Sequence, residues 1–252
     1  MEAVYGFARQ VQAPIPLPPA RSDAEKEPIL RNLLAWPDRP YLPEKDLEQL
    51  SSTLRVEQVG LPRELQSVDN DARRSDPNGG LYRYVRARGL TFLRHRLTET
   101  CHVRLCLGGR RSGSAGRYPG IVEEAFLAVA NNKPLYLASF LGGASQQVAD
   151  AIEGKDMTQN FCPRTSIDDI YAAPPVRESD GATRSDRVID RAAVWRVFAQ
   201  AGRRRLPDAN GLTDEENSEL LHTPVIERAI ELMLIGLSRV WPTLAALSEF
   251  RG

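Results

Sequence analysis

The chain has 252 residues, 33 of them basic and 33 acidic, so it carries no formal net charge. That balance excludes a dedicated nucleic-acid surface, which shows as a strongly basic domain, and an acidic solvating tail. With 42% hydrophobic residues and no run near the ~18 apolar residues of a spanning helix, it reads as a chain with a packed core and no membrane partner. Four of the basic residues are lysines (Lys26, Lys45, Lys133, Lys155) and the other 29 are arginines. Arginine's planar fork holds phosphate or carboxylate through paired hydrogen bonds, which the lysine ammonium does less specifically. Met1-Glu-Ala-Val-Tyr-Gly has neither the basic nor the apolar region of a secretory signal. Three cysteines build no disulfide framework, so a cytoplasmic location is expected. His95, Cys101, His102 and Cys106 match no paired-ligand zinc spacing, so no metal is expected, and Cys106 reads as a buried thiol on a core strand.

In chain order, residues 1–24 predict an extended arm, because VQAPIPLPPA at 11–20 holds four prolines and proline lacks the N–H of a regular ladder. Residues 25–245 are expected to form a single α/β domain. Glu27 to Trp36 predicts a short helix stopped by Pro37. Residues 44–52, led in by Pro43 and acidic side chains, predict a second helix, and Leu54 to Val59 a strand. In 81–97, Leu81, Val85, Leu90, Phe92, Leu93 and Leu97 recur at helical spacing. Val103, Leu105 and Leu107 alternate with Arg104 and Cys106 as in a strand. The loop GGRRSGSAGRY at 108–118 follows, and Pro119 then occupies the first turn of a helix that Asn131-Asn132 ends. Pro134 to Ala138 reads as a buried strand, and Gly142-Gly143 turns into a helix reaching about Ile152.

Such alternation of helix, strand and glycine turn implies a Rossmann-like parallel sheet with helices on both faces. Residues 154–186 are polar and hold three prolines, which predicts a long mobile loop. Helices are expected again at about 187–201, 213–221 and 224–239, with Thr213 and Glu216 as a capping box.

Between Leu81 and Arg117 there are nine arginines and one acid, Glu99. Those of 83–96 read mainly as a solvated helix face. Arg110, Arg111 and Arg117 differ, because they sit in a glycine loop between a strand and a helix, where ligands of parallel sheets bind. Glycines let backbone N–H groups approach phosphate oxygens, the helix start adds partial positive charge, and arginine adds bidentate donors. The loop lacks both the GxGxxG spacing and the GK[ST] ending, so neither a dinucleotide fingerprint nor a Walker loop applies. Glu123 and Glu124, one turn into the helix, are candidates to accept hydrogen bonds from ribose hydroxyls or a base amine. The expected ligand-binding set is Gly108, Gly109, Arg110, Arg111, Ser112, Gly113, Arg117, Pro119, Gly120, Glu123, Glu124, Gly142 and Gly143, with no cofactor.

The run from Leu107 through Gly-Gly-Arg-Arg-Ser-Gly-Ser-Ala-Gly-Arg-Tyr-Pro-Gly-Ile-Val-Glu-Glu-Ala, with Lys-Pro-Leu-Tyr-Leu and Gly142-Gly143-Ala after it, resembles the SLOG superfamily. These are Rossmann-like nucleotide-ligand domains related to the Lonely Guy proteins. The likeness is nearest to prokaryotic SLOG domains found alone or beside TIR and Sir2 modules in defence proteins. It is specific over 79–150, looser over 25–240, and extends to Gly211-Leu-Thr-Asp-Glu-Glu-Asn-Ser-Glu-Leu-Leu. The resemblance implies binding of a nucleotide-derived signal, such as an ADP-ribose derivative, that switches a partner or assembly. A homo-oligomer and a TIR- or Sir2-type effector are the implied partners.

Three departures stand out. Pro119-Gly120-Ile121-Val122-Glu123-Glu124 lacks the Gly-Thr step of the Lonely Guy PGGxGTxxE pattern. Ser139-Phe140-Leu141-Gly142-Gly143-Ala144 lacks the first glycine pair of GGFGGA. Ala3-Val4-Tyr5-Gly6 looks like a later strand of the family, so the first strand–helix unit is expected to be missing.

Three readings stay open. The first is a ligand sensor without catalysis, since Ser112 and Ser114 have no local histidine and His222 is far off in sequence. The second is a nucleoside monophosphate N-glycoside hydrolase, with Glu123 or Glu124 stabilising an oxocarbenium-like ribose and Arg110 or Arg117 on the 5′-phosphate. The third is a scaffold that has lost its pocket.

Overall fold

Leu30–Ala35 is a strand (β1), where the sequence predicts a helix. Its parallel partner is Leu54–Val59 (β2), in a register running from Leu30 opposite Leu54 to Ala35 opposite Val59. Local propensity over LRNLLA is a weak prior, and the ladder to β2 overrides it. Arg31 forks onto Glu57 across the pair, with Nη2 3.0 Å from both carboxylate oxygens. The computed structural model describes residues 30–40, 42–155, 161–176, 188–202 and 206–249, with backbone alone for Pro207 and 242–249. The proline-rich arm and the strand-like Ala3–Gly6 lie outside the described residues.

Between β1 and β2 runs α1 (Glu44–Gln49). A 3-10 helix (Arg63–Val68) and α2 (Asp69–Arg74) then lead to the long α3 (Gly80–Thr100). A second β–α–β unit follows: β3 (Arg104–Leu107), α4 (Gly120–Ala130) and β4 (Leu135–Ala138), again parallel, with Arg104 opposite Leu135. Pro119 is the N-cap of α4 in extended backbone rather than a residue of its first turn. Asn131-Asn132 ends the helix as expected, Asn132 taking φ 52°, a left-handed conformation that asparagine tolerates. Then come α5 (Gly143–Ile152), α6 (Ser166–Ala172), α7 (Arg191–Ala201), α8 (Leu206–Asn210), α9 (Asp214–His222) and α10 (Ile226–Glu249). The class is α/β. Among the described residues the strands form two separate parallel pairs, not one continuous sheet.

One further expectation changes, and the burial of Cys106 holds. The segment expected as a loop at 154–186 contains α6. Thr165 caps it, accepting from the Ile167 amide while the Asp168 carboxylate accepts from the Thr165 amide at 2.8 Å. This capping box is the counterpart of the expected Thr213–Glu216 box, which is also present. In β3, Cys106 is fully buried, its thiol pushed up to about 12 by burial, whereas Leu105 and Leu107 are 47% and 43% exposed. Helices α4 and α5 cover the Cys106 face, while α8 and α9 pack on β4.

The largest core cluster gathers Cys106, Val122, Leu135, Leu137, Val148 and Phe198 between β3–β4, α4, α5 and α7. A second, around Trp36, Leu65, Tyr84, Val85, Ile167 and Tyr171, fastens α3 to β1 and α6. On the other face of β4, Tyr136 packs with Leu212, Leu220 and Leu232. There the fully buried Asn210 donates to the Leu135 backbone carbonyl (2.9 Å) and to the side-chain Oδ1 of Asn217 (2.8 Å) and accepts from the Leu212 amide (3.0 Å). Asn210→Ala strands several of these groups, so a loss of about 2–3 kcal/mol is expected. Urea denaturation reads it, and a change within a few tenths would contradict this role for Asn210.

Candidate functional site

Leu107 delivers the chain to Gly108 (φ 60°) and Gly109 (φ 87°) at the carboxyl end of β3. The carbonyls of these two glycines accept from the first amides of α5, Gly108 from Ser145 (2.8 Å) and Gly109 from Ala144 (3.0 Å). Gly143, itself at φ 71°, sits so close that a Cβ there would stand 2.2 Å from the Gly109 carbonyl oxygen. The two glycine turns expected to face a ligand are therefore packed on each other. The loop backbone satisfies donors at the start of α5 that a phosphate would otherwise engage.

Beyond them, Arg110, Arg111, Ser112 and Gly113 are exposed. Neither arginine has a hydrogen bond or ion pair among the described residues. Arg117 is more constrained. Its guanidinium lies 5.0 Å from the Tyr118 ring centre, Nη2 is 3.5 Å from the Tyr118 hydroxyl, and Nε is buried without a hydrogen bond among the described residues. Tyr118 is buried, which raises its hydroxyl pKa, and it accepts from the Asp190 amide at 2.9 Å. Asp190 is the N-cap of α7, its carboxylate accepting from the Ala193 amide. The loop is thus hydrogen-bonded to the start of α7.

The two acids of α4 are already engaged. Glu123 is 3% exposed, and its Oε1 accepts from the Thr91 hydroxyl at 2.7 Å while Oε2 accepts from Arg94 Nη1 at 2.5 Å. Glu124, 25% exposed, stands 3.7 Å from Arg94 Nε and 3.5 Å from Arg104 Nη1. Arg94 also explains two glycines. A Cβ on Gly116 would meet its Nη1 at 2.8 Å and one on Gly120 its Nη2 at 2.9 Å, so a side chain at either position would have to displace this guanidinium.

The arginines of 83–96 divide: Arg83, Arg86 and Arg96 keep solvent access, as a solvated helix face would, while Arg88 and Arg94 do not. Arg83 reaches Ser166, Arg86 Asp38, Arg88 Glu64, Arg94 Glu123 and Arg96 Glu99. Arg88 and Arg94 are buried or nearly so, at 3% and 11% side-chain exposure. Sequence spacing did not reveal them, because their partners lie 24 residues before and 29 residues after. It also missed Tyr171 on α6. This hydroxyl is buried without a hydrogen-bond partner among the described residues, and burial followed by the Glu123 charge pushes its pKa upward. Among the described residues no group of three or more His, Cys, Asp or Glu side chains could hold a metal, and no helix is long and apolar enough to cross a membrane.

Removing Arg94 while keeping Glu123 leaves an uncompensated buried carboxylate. Arg94→Met is expected to cost about 3–5 kcal/mol, and Arg94→Met/Glu123→Gln to recover part of that loss. Additive losses in a thermodynamic cycle would refute the coupling. At the turn, Gly142→Ala meets no atom within 4 Å but is strained by its φ of 67°, whereas Gly143→Ala also collides with Gly109. A loss of roughly 1–3 kcal/mol is expected at Gly142 and a larger one at Gly143, read from thermal melts of the two variants.

No curated protein and no solved structure matches the chain. A family model described as SLOG cluster2 matches residues 19–220, a span that holds both β–α–β units, the glycine loop and the Arg94–Glu123 pair. On that match the chain belongs to the SLOG cluster2 family.

Proposed function

We propose that this domain binds a nucleotide-derived ligand, ADP-ribose-like or a nucleoside phosphate, and that loop 108–118 holds its phosphate. The observation that carries this reading is the distribution of arginine partners. Of the nine arginines between Leu81 and Arg117, those on α3 and β3 reach a carboxylate or hydroxyl of the chain, while Arg110 and Arg111 reach none among the described residues and Arg117 reaches only Tyr118. Cations left uncompensated in the loop that leads into an 11-residue helix favour an anion through charge, and the helix start adds its dipole. The two parallel strand pairs are read as parts of one Rossmann-like sheet, whose carboxyl edge is where such ligands sit.

Sensing is preferred to hydrolysis because Glu123 has both oxygens engaged inside the fold. The hydrolase reading then rests on Glu124, whose arginine contacts are longer. In the sensing reading the ligand acts on a homo-oligomer or on a TIR- or Sir2-type effector, in prokaryotic signalling or defence. The Tyr118–Asp190 bond offers a route from the loop to α7.

Calorimetric titration with ADP-ribose and AMP tests it. Saturable heat without release of free base is expected. Arg110→Ala/Arg111→Ala should weaken binding by about 10–100-fold, since charge-assisted hydrogen bonds contribute roughly 1.5–3 kcal/mol each, whereas Arg96→Ala should leave it unchanged. Absence of heat across the nucleotide panel would sink the proposal. Base release that disappears in Glu124→Gln would replace it with the hydrolase.

A further inference from the structure

The 3-10 helix Arg63–Val68 stands off α3 and leaves between them a cleft of about 920 Å³, reached from the end of β2 through Gly60 and Leu61. This is within the ~300–1,000 Å³ range of small-molecule sites. It opens on a different face of α3 from Arg94: Arg88, Phe92, His95 and Glu99 recur at the three- and four-residue spacing of one helix face, and Arg94 lies outside that stripe. We infer that this cleft is a second ligand site, distinct from loop 108–118, for a small molecule with a planar apolar ring and a single anionic group.

The ring is called for by the walls. Leu61 and Pro62 are buried on one side, and the half-buried Phe92 stands on the other with its ring available for stacking. The single negative charge follows from the pairing of the cations. Arg88 is held by Glu64 at 3.0 Å and Arg96 by Glu99 at 2.7 Å. Arg63 has no such carboxylate among the described residues, and neither His95 nor Gln66 has a hydrogen-bond partner there. One uncompensated guanidinium, with imidazole and amide donors on the same cleft, matches one carboxylate or phosphate head and disfavours a polyanion, which would also face Glu64 and Glu99.

The site has a built-in connection to the rest of the molecule. Thr91 lines the cleft and donates to Glu123 on α4. Leu61 lies against Gly89, where a Cβ would touch both Leu61 and Trp36 at 3.5 Å.

The test is amide NMR on the full chain titrated with phenyl phosphate, with benzoate and inorganic phosphate as parallel arms. Saturable shifts centred on residues 60–66 and 88–99 are expected, with phenyl phosphate binding more tightly than inorganic phosphate. Arg63→Ala and His95→Ala should each weaken it about tenfold or more, Phe92→Ala should erase the advantage of the ring, and Arg110→Ala/Arg111→Ala should change nothing. Benzoate binding alongside phenyl phosphate would mark the anion pocket as accepting carboxylate too, whereas its failure to bind would narrow the head group to phosphate. Shifts that do not saturate, that survive Arg63→Ala, or that gather on 108–118 overturn the inference. Because the loop variant and the cleft variants are separate, failure here and failure of nucleotide binding at the loop can be told apart.

Discussion

A carboxylate at 3% exposure is stable only when its charge is matched, and Glu123 is matched twice, by the Arg94 guanidinium and the Thr91 hydroxyl. Both partners stand on α3, while Glu123 is in the first turn of α4, so the pair locks the start of α4 against the long helix that precedes β3. The same guanidinium fills the space beside Gly116 and Gly120. Where the glycine loop ends, how α4 begins and which acid faces inward are therefore consequences of one buried ion pair.

That constraint divides the charges of the molecule into two kinds. Arginines on α3 and β3, apart from Arg96 with its neighbour Glu99 on the same helix, are engaged with a carboxylate or hydroxyl supplied from elsewhere in the fold. Among the described residues Arg110 and Arg111 have no such counterpart and Arg117 has only Tyr118, and the glycine turn before them is itself pinned to α5 by two backbone hydrogen bonds. A rigid base under an uncompensated cationic loop is a sound arrangement for meeting an anion, because little ordering remains to be done when it binds. A tight mutual packing of Gly109 and Gly143 has the opposite consequence for the second turn, which serves the base and not the proposed ligand face.

Much of the element order was legible from pattern. The long helix before β3, the glycine loop, the Asn-Asn stop, the buried PLYLA strand and the Thr213 box all follow from local chemistry, since caps, turns and periodicity act over a few residues. β1 was misread because its strand state depends on β2, 24 residues away. Helix α6 was passed over although Thr165 and Asp168 carry the same capping logic as Thr213 and Glu216, the polar, proline-bearing surroundings having masked it. In β3 the alternation was visible, but which set of side chains is covered depends on where α4 and α5 pack.

By itself, then, the sequence determined most of the elements from α3 to α5, the glycine turns, the placing of arginine in the loop after β3 and the likeness to the SLOG family, all encoded within short windows of chain. Only the tertiary structure decided which of those arginines and acids are free. A charged side chain is neutralised by whatever the fold brings within about 4 Å, and for Arg88, Arg94, Glu123 and Glu124 that partner is remote in sequence. Local pattern places a charge on the chain, and long-range packing determines whether any of it is left for a ligand.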